Sequence, residues 1–351
     1  MERRTDKTPI RLICFALIAA LLIALASFVV TPKWDVEFRS GTNARGFYRM
    51  PKNSVDVLLL GSSHIVSGIN PNLMYETHGI SAYCCGTEAQ PMLGSYTWLR
   101  EALKYQDIQA VVLDVQELFL EANEVNYRKS LDYMRLSGLK WDALRAYKQI
   151  NPDMNFLSYL LPLVQYHGRY TELEQVDFTG DRSDAYRGFL IETKKRGMDF
   201  SGFTRAQADS AAPTEMQSEN LEYFRALCDL CRDEGIALVL IITPEIAFTA
   251  EMHAAVQALA DEYSLPFYDF NIVSEWPEFN YAEHMSDFRH VNSFGAAVLT
   301  PVITQALLEQ TELPDRRGEA DFDAMDAAYQ AALQAAMEAP QETSVTAYAG
   351  N

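Results

Sequence analysis

The sequence predicts an α/β domain, a three-layer α/β/α arrangement around a mainly parallel sheet, carried behind one apolar N-terminal helix. Three observations predict it. Runs such as Val57-Leu58-Leu59-Leu60 and Ile236-Ala-Leu-Val-Leu-Ile-Ile242 are apolar without alternation, the composition of strands buried on both faces. These runs alternate with amphipathic stretches at helical spacing, which is the pattern of βαβ units. Ahead of them, Leu12 to Val30 is a stretch of 19 residues without a charge. As a helix it measures about 28 Å, close to the hydrocarbon thickness of a bilayer.

Taken in order, Arg3, Arg4, Lys7 and Arg11 precede the apolar run, so the positive-inside rule holds the N-terminus in the cytoplasm and sends the rest outward. Residues 1–31 then read as a cytoplasmic tip and signal-anchor helix of a single-pass cell-membrane protein, in the membrane through residues 12–30. A cleaved signal peptide would use Ala24-Leu25-Ala26, but the run continues through Phe28, Val29 and Val30. No cysteine follows the run to carry a lipid; Cys14 lies inside it. Residues 32–54 read as a polar linker, and residues 55–310 as the α/β domain.

Within that domain the first strand, Val57–Leu60, closes at Gly61, and Ile80–Cys84 is the second. A helix follows from about Met92 to Tyr105, and Ile108–Leu113 is the third strand. The stretch from about 115 to 217 is far longer than an ordinary connection and predicts a helical insertion. Asn220–Arg232 is an amphipathic helix ended by Gly235. The run 236–242 is the fourth strand, stopped by Thr243-Pro244, Phe267–Phe270 is the fifth, and a last helix starts near Asn292. From 311 to 351 the chain is acidic and alanine-rich, with a marginal helix over 321–338 and disorder expected elsewhere.

With 29 basic and 48 acidic side chains, the formal charge is −19. That argues against a nucleic-acid partner, because phosphate backbones are bound by clusters of Lys and Arg. Cys228 and Cys231, in Cys-Asp-Leu-Cys inside a helix, lack a second Cys or His pair and read as core packing, as does Cys84-Cys85. Disulfide pairing among these four outside the cell stays open. The imidazoles and carboxylates match no zinc spacing, so no metal and no cofactor are expected.

The chemistry lies at two ends of the domain. Gly61-Ser62-Ser63-His64 follows the first strand, where a serine on a tight strand-to-helix turn exposes its hydroxyl. The plain alternative is a helix N-cap. Near the last helix stands Asp287-Phe288-Arg289-His290. Asp and His three apart set a carboxylate against one imidazole nitrogen and leave the other for a nucleophile. The plain alternative there is a turn capping the helix at Asn292. Together the two segments form a Ser…Asp…His set.

The run Asp56-Val-Leu-Leu-Leu-Gly-Ser-Ser-His64 resembles the first block of the SGNH (GDSL-type) hydrolase superfamily, and Asp287-x-x-His290 resembles its last block. With the anchor and the insertion, the chain looks most like the membrane-anchored branch near the D-alanyl-lipoteichoic acid biosynthesis family (DltD). The resemblance covers about residues 50–310. It implies an SGNH-like, flavodoxin-like fold with Ser63 as nucleophile, His290 as base and Asp287 as the acid that orients it. It implies further that the N–H groups of Ser63 and Gly86 hold an oxyanion. Ser62 stands where the family's usual Asp would be. The family's Gly-x-Asn-Asp block is absent; the chain reads Leu113-Asp114-Val115-Gln116-Glu117, where Gln116 is the substitute donor.

His64 beside the nucleophile and His167 in Tyr166-His167-Gly168-Arg169 are candidate substrate-facing residues, and His284 is an outside candidate for the base. The implied activity is esterase or O-acyltransferase chemistry on acyl groups of cell-envelope polymers, through an acyl-serine. A multipass membrane acyltransferase is a candidate partner. The incomplete third block keeps a second expectation open, an inactive envelope scaffold that binds a glycan or such an acyltransferase.

Overall fold

Short apolar runs pair into a five-stranded sheet in the computed structural model, which describes residues 7–33, 40–179, 186–196 and 202–339. The strands are β1 Val57–Leu60, β2 Ala82–Cys84, β3 Ala110–Asp114, β4 Ala237–Ile242 and β5 Phe267–Asp269. All neighbours are parallel, in the order β2-β1-β3-β4-β5. From β1 the chain turns outward to β2 and then crosses back to β3. The direction of winding therefore switches between β1 and β3, and a crevice opens beyond their carboxyl ends. Leu60 lies opposite Leu113, and Asp114 opposite Ile241, so these ends are level.

In chain order the helices are α1 Thr8–Val30, α2 Ser40–Phe47, α3 Ser63–Gly68, α4 Pro71–His78, α5 Met92–Ala102, α6 Glu124–Leu131, α7 Gly138–Ile150 and α8 Phe156–Leu160. They continue as α9 Pro162–Tyr166, α10 Gln175–Thr179, α11 Arg205–Ser210, α12 Ser218–Glu234, α13 Ala250–Tyr263, α14 Tyr281–His284, α15 Ser293–Gln310 and α16 Ala320–Glu338. Alternation along each strand divides the core in two. Leu58, Leu60, Leu113 and Leu240 pack against Trp98 of α5, Phe224 of α12 and Val256 of α13. Val57, Leu59, Val112 and Val239 pack against Ile65 of α3, Met74 of α4 and Leu299 and Ile303 of α15. The result is the expected three-layer α/β/α domain.

The insertion has its own small core. Tyr127, Leu144, Tyr147 and Tyr159 of α6–α8 pack together, with the rings of Tyr127 and Tyr147 stacked at 3.9 Å. Residues 186–196 of it return to the sheet: Cys84 N–H donates to Arg187 O at 2.9 Å and Leu190 N–H to Val66 O at 2.9 Å.

Two boundaries differ from the sequence reading. The stretch 32–54 is no linker beyond residue 40, because α2 buries Ala44 and Phe47 in the main core. Phe47 meets Tyr83 and Trp98 edge-to-face at 5.7 and 6.0 Å. Two apolar residues three apart are enough to seat a helix whose average composition is polar. The alanine-rich tail is likewise docked: Phe322 and Tyr329 of α16 are buried, on one face at a spacing of two turns. Asn70 donates to Tyr329 Oη at 2.6 Å, and Arg316 pairs with Asp56 at 2.6 Å. Residues 340–351 of the tail, and Arg3 and Arg4 of the basic tip, lie outside the described residues. At the other end α1 is long and apolar enough to cross a membrane, and only Ser27 and Val30 of it are buried. All five cysteines are free thiols, with Cys228 and Cys231 in the core.

Candidate active site

The turn after β1 admits only glycine at its first position. Gly61 has φ +137°, and a Cβ there would stand 2.5 Å from the Cβ of Asp114. Ser62 then caps α3, its Oγ accepting from the His64 N–H at 3.2 Å. The same hydroxyl donates to Asp114 Oδ2 at 2.5 Å, and the Ser62 N–H donates to that oxygen at 3.1 Å. A buried carboxylate at the end of β3 thus clamps the turn at the end of β1. Burial raises the Asp114 pKa, and the hydrogen bonds from Ser62 and from the Gln116 N–H oppose that rise. Ser63 follows at the first helical position. Its N–H has no hydrogen-bond partner among the described residues, as expected at a helix N-terminus.

Ser63 Oγ lies 2.8 Å from His290 Nε2, across 227 residues of sequence. His290 Nδ1 is 2.9 Å from Asp287 Oδ2 and 3.1 Å from Oδ1. Asp287 Oδ1 also accepts the N–H groups of Arg289 and His290, at 2.7 and 2.8 Å. Burial pushes the Asp287 carboxyl up, but the hydrogen bond and charge of His290, with those two N–H groups, hold it at about 2. An ionised carboxylate at Nδ1 keeps the proton on that nitrogen and leaves Nε2 to accept from serine. The segment is a tight loop, closed by a bridge between Met285 and Val291 and by Ser286 N–H donating to His290 O at 2.8 Å. Asn292 caps α15 through the N–H groups of Phe294 and Gly295, both at 3.0 Å. The cap and the Asp–His pair are therefore one structure.

These residues open into a cleft of about 610 Å³ at the switch point of the sheet. Ser62, His64 and Gln116 line it with the three central residues. The His64 ring meets that of His290 edge-on at 5.4 Å. Burial, then the neighbouring charges of His290 and Arg289, lower the His64 pKa well below its ordinary value, so it stays neutral. Gln116 has a buried Oε1 without a partner, and its side chain makes no hydrogen bond among the described residues.

Gly86 is fitted against the turn, since a Cβ there would meet Ile65 Cγ2 at 2.5 Å and Gly61 O at 2.9 Å. Its N–H has no partner among the described residues, whereas Cys85 and Thr87 donate to Leu59 O and Gly61 O. The cleft wall takes Glu88 and Ala89 from this loop, not Gly86. His167 is corrected away from the site: it is exposed on the insertion, with Nδ1 3.1 Å from Val164 O, and lines no part of the cleft. His284 accepts from the Asn280 N–H at 3.0 Å and is structural.

Four charged residues of this region were not singled out from sequence: Glu117 and Arg289, which line the cleft, and the buried Asp114 and Glu245 beside them. Arg289 pairs with buried Glu245 at 2.8 Å. Burial, against the charge of Arg289, raises Glu245 to about 7. Glu117 lines the cleft, and burial together with the charge of Asp114 raises it to about 8. A lone acidic residue in sequence carries no mark of such burial. For Asp114 the available signal was a carboxylate at the tip of a fully apolar strand.

No family model and no curated protein matches the chain. Among solved structures, a protein of Bacteroides fragilis provisionally described as an acylhydrolase is similar, at 13% identity and a TM-score of 0.36, over 76% of this chain and 94% of that one.

Proposed function

We propose that this chain is a membrane-anchored, extracytoplasmic serine esterase or O-acyltransferase acting on acyl esters of the cell envelope. The observation that carries the proposal is the continuous line Asp287–His290–Ser63 at hydrogen-bond distances, opening into a cleft. His290 Nε2 takes the Ser63 proton as Oγ attacks the ester carbonyl, and Asp287 stabilises the imidazolium that forms. The Ser63 N–H and the Gln116 side-chain amide, both of residues in the cleft wall, are the oxyanion donors, and the resemblance adds the Gly86 N–H from a residue set behind that wall. His290 then protonates the leaving alcohol. Water or an acceptor hydroxyl, deprotonated by the same imidazole, resolves the acyl-serine. The resemblance to the SGNH superfamily and its DltD-like branch supports envelope polymers as acceptors and a multipass acyltransferase as partner.

The test is covalent labelling of the purified full chain with a fluorophosphonate probe. Labelling of the wild type that is lost in Ser63→Ala supports the proposal. A folded wild type that does not label overturns it in favour of a binding scaffold.

A further inference from the structure

We infer that the segment from α8 to α10 is a foot that beds into the headgroup and upper acyl region of the bilayer crossed by α1. The inference rests on the membrane reading of α1 given above, and its first support is height. Ser27 lies three residues before the end of the apolar run, about 4.5 Å inside it at the helical rise. The Leu163 N–H of α9 donates to Ser27 Oγ at 3.4 Å, and Arg169 donates to Val30 O at 2.8 Å. α9, the turn His167–Thr171 and α10 all pack on α1. A segment bonded at that height reaches the lipid boundary when α1 spans the membrane.

The second support is what the segment presents there. Leu157, Tyr170 and Phe178 are 53%, 72% and 60% exposed, and Leu161 and Val164 are also exposed. Neither α9 nor the turn after it buries a single residue. Helices of five residues do not hold themselves in water, whereas aliphatic and aromatic side chains at this level suit a membrane interface. Charge then selects the mode of attachment. Arg169 is paired with Asp177 at 3.3 Å, and Glu172 and Glu174 lie beside it. The foot therefore holds by apolar burial, not by attraction to anionic lipid, and zwitterionic phosphatidylcholine suffices.

The test uses the full chain in phosphatidylcholine nanodiscs, in a Cys14→Ala background; the other four cysteines are buried. Single cysteines at Val164 and Phe178 carry a polarity-sensitive fluorophore, with Ile18 and Asp233 as membrane and water references. Nitroxide on the lipid chains should quench the labels at 164 and 178 as it quenches 18, with blue-shifted emission that does not change with salt. Labels at 164 and 178 that behave like 233, quenched by an aqueous nickel chelate, overturn the foot while 18 still reports a spanning α1. A label at 18 that escapes the lipid quencher removes the membrane reading and the foot with it. Protection from both quenchers assigns the surface to a second copy or another protein, and also overturns the foot. Leu157→Cys repeats the test should Val164→Cys fail to fold.

Discussion

The cleft at the β1/β3 switch point and the C-terminal end of α1 are opposites in how they treat polarity. In the cleft, polar atoms are buried without a hydrogen-bond partner among the described residues, as Gln116 Oε1 and His64 Nδ1 are. At the end of α1, Arg169 and Lys33 donate to the Val30 and Phe28 carbonyls of the last turn, while large apolar side chains are exposed. Each departs from the usual rule that buried polar groups are bonded and large apolar surfaces covered. The esterase proposal gives the first a polar substrate, and the membrane-foot proposal gives the second a lipid boundary.

Substitutions can break that contrast. The largest effect is expected from Ser63→Ala, which should lower ester turnover by about 10⁶-fold while circular dichroism and Tm stay unchanged. Asp287→Asn should cost about 10⁴-fold in kcat by losing the carboxylate that sets the His290 tautomer. Gln116→Ala should lower kcat about 10²-fold with little change in KM, the signature of an oxyanion donor. His167→Ala, on the exposed insertion, should leave turnover as it is. A Gln116 variant with full activity, or a His167 variant without it, would reverse the assignment of the two regions.

Smaller effects concern stability. Glu117 is raised to about 8 in the fold against an ordinary 4.5. Its burial costs nothing at low pH, where it is protonated in both states. The cost grows from pH 4.5 to 8, where only the unfolded chain ionises, and is constant above. Glu117→Gln should therefore raise the free energy of urea unfolding increasingly across that window, by roughly 1–4 kcal/mol at its top, and not below it. Tyr329→Phe, which strips the hydroxyl from Asn70 in the docked tail, should cost about 1 kcal/mol in urea unfolding.

Much of this was legible along the chain. Unbroken apolar runs mark strands covered on both faces, and Gly61, Gly235 and Asn292 punctuate the elements as turn and cap chemistry requires. Ser63, Asp287 and His290 stood out by residue type and context. The helix over 321–338 was legible, but α2 and the docking of α16 were not, because each is seated by side chains whose partners are remote: Phe47 by Tyr83 and Trp98, Tyr329 by Asn70. His167 looked like a site residue because a sequence motif carries no information about distance.

The sequence by itself determined the α/β class, the apolar helix and the three residue types of the site, because these depend on local composition and on periods of two and 3.6 residues. The tertiary structure alone decided the order β2-β1-β3-β4-β5, and with it the meeting of Ser63 and His290 at 2.8 Å. It also decided that Asp114 clamps the turn beside the serine and that Glu117 lies buried at the cleft. The physical reason is that strand order and burial come from many weak contacts between distant segments, none of which leaves a signature in its own neighbours along the chain.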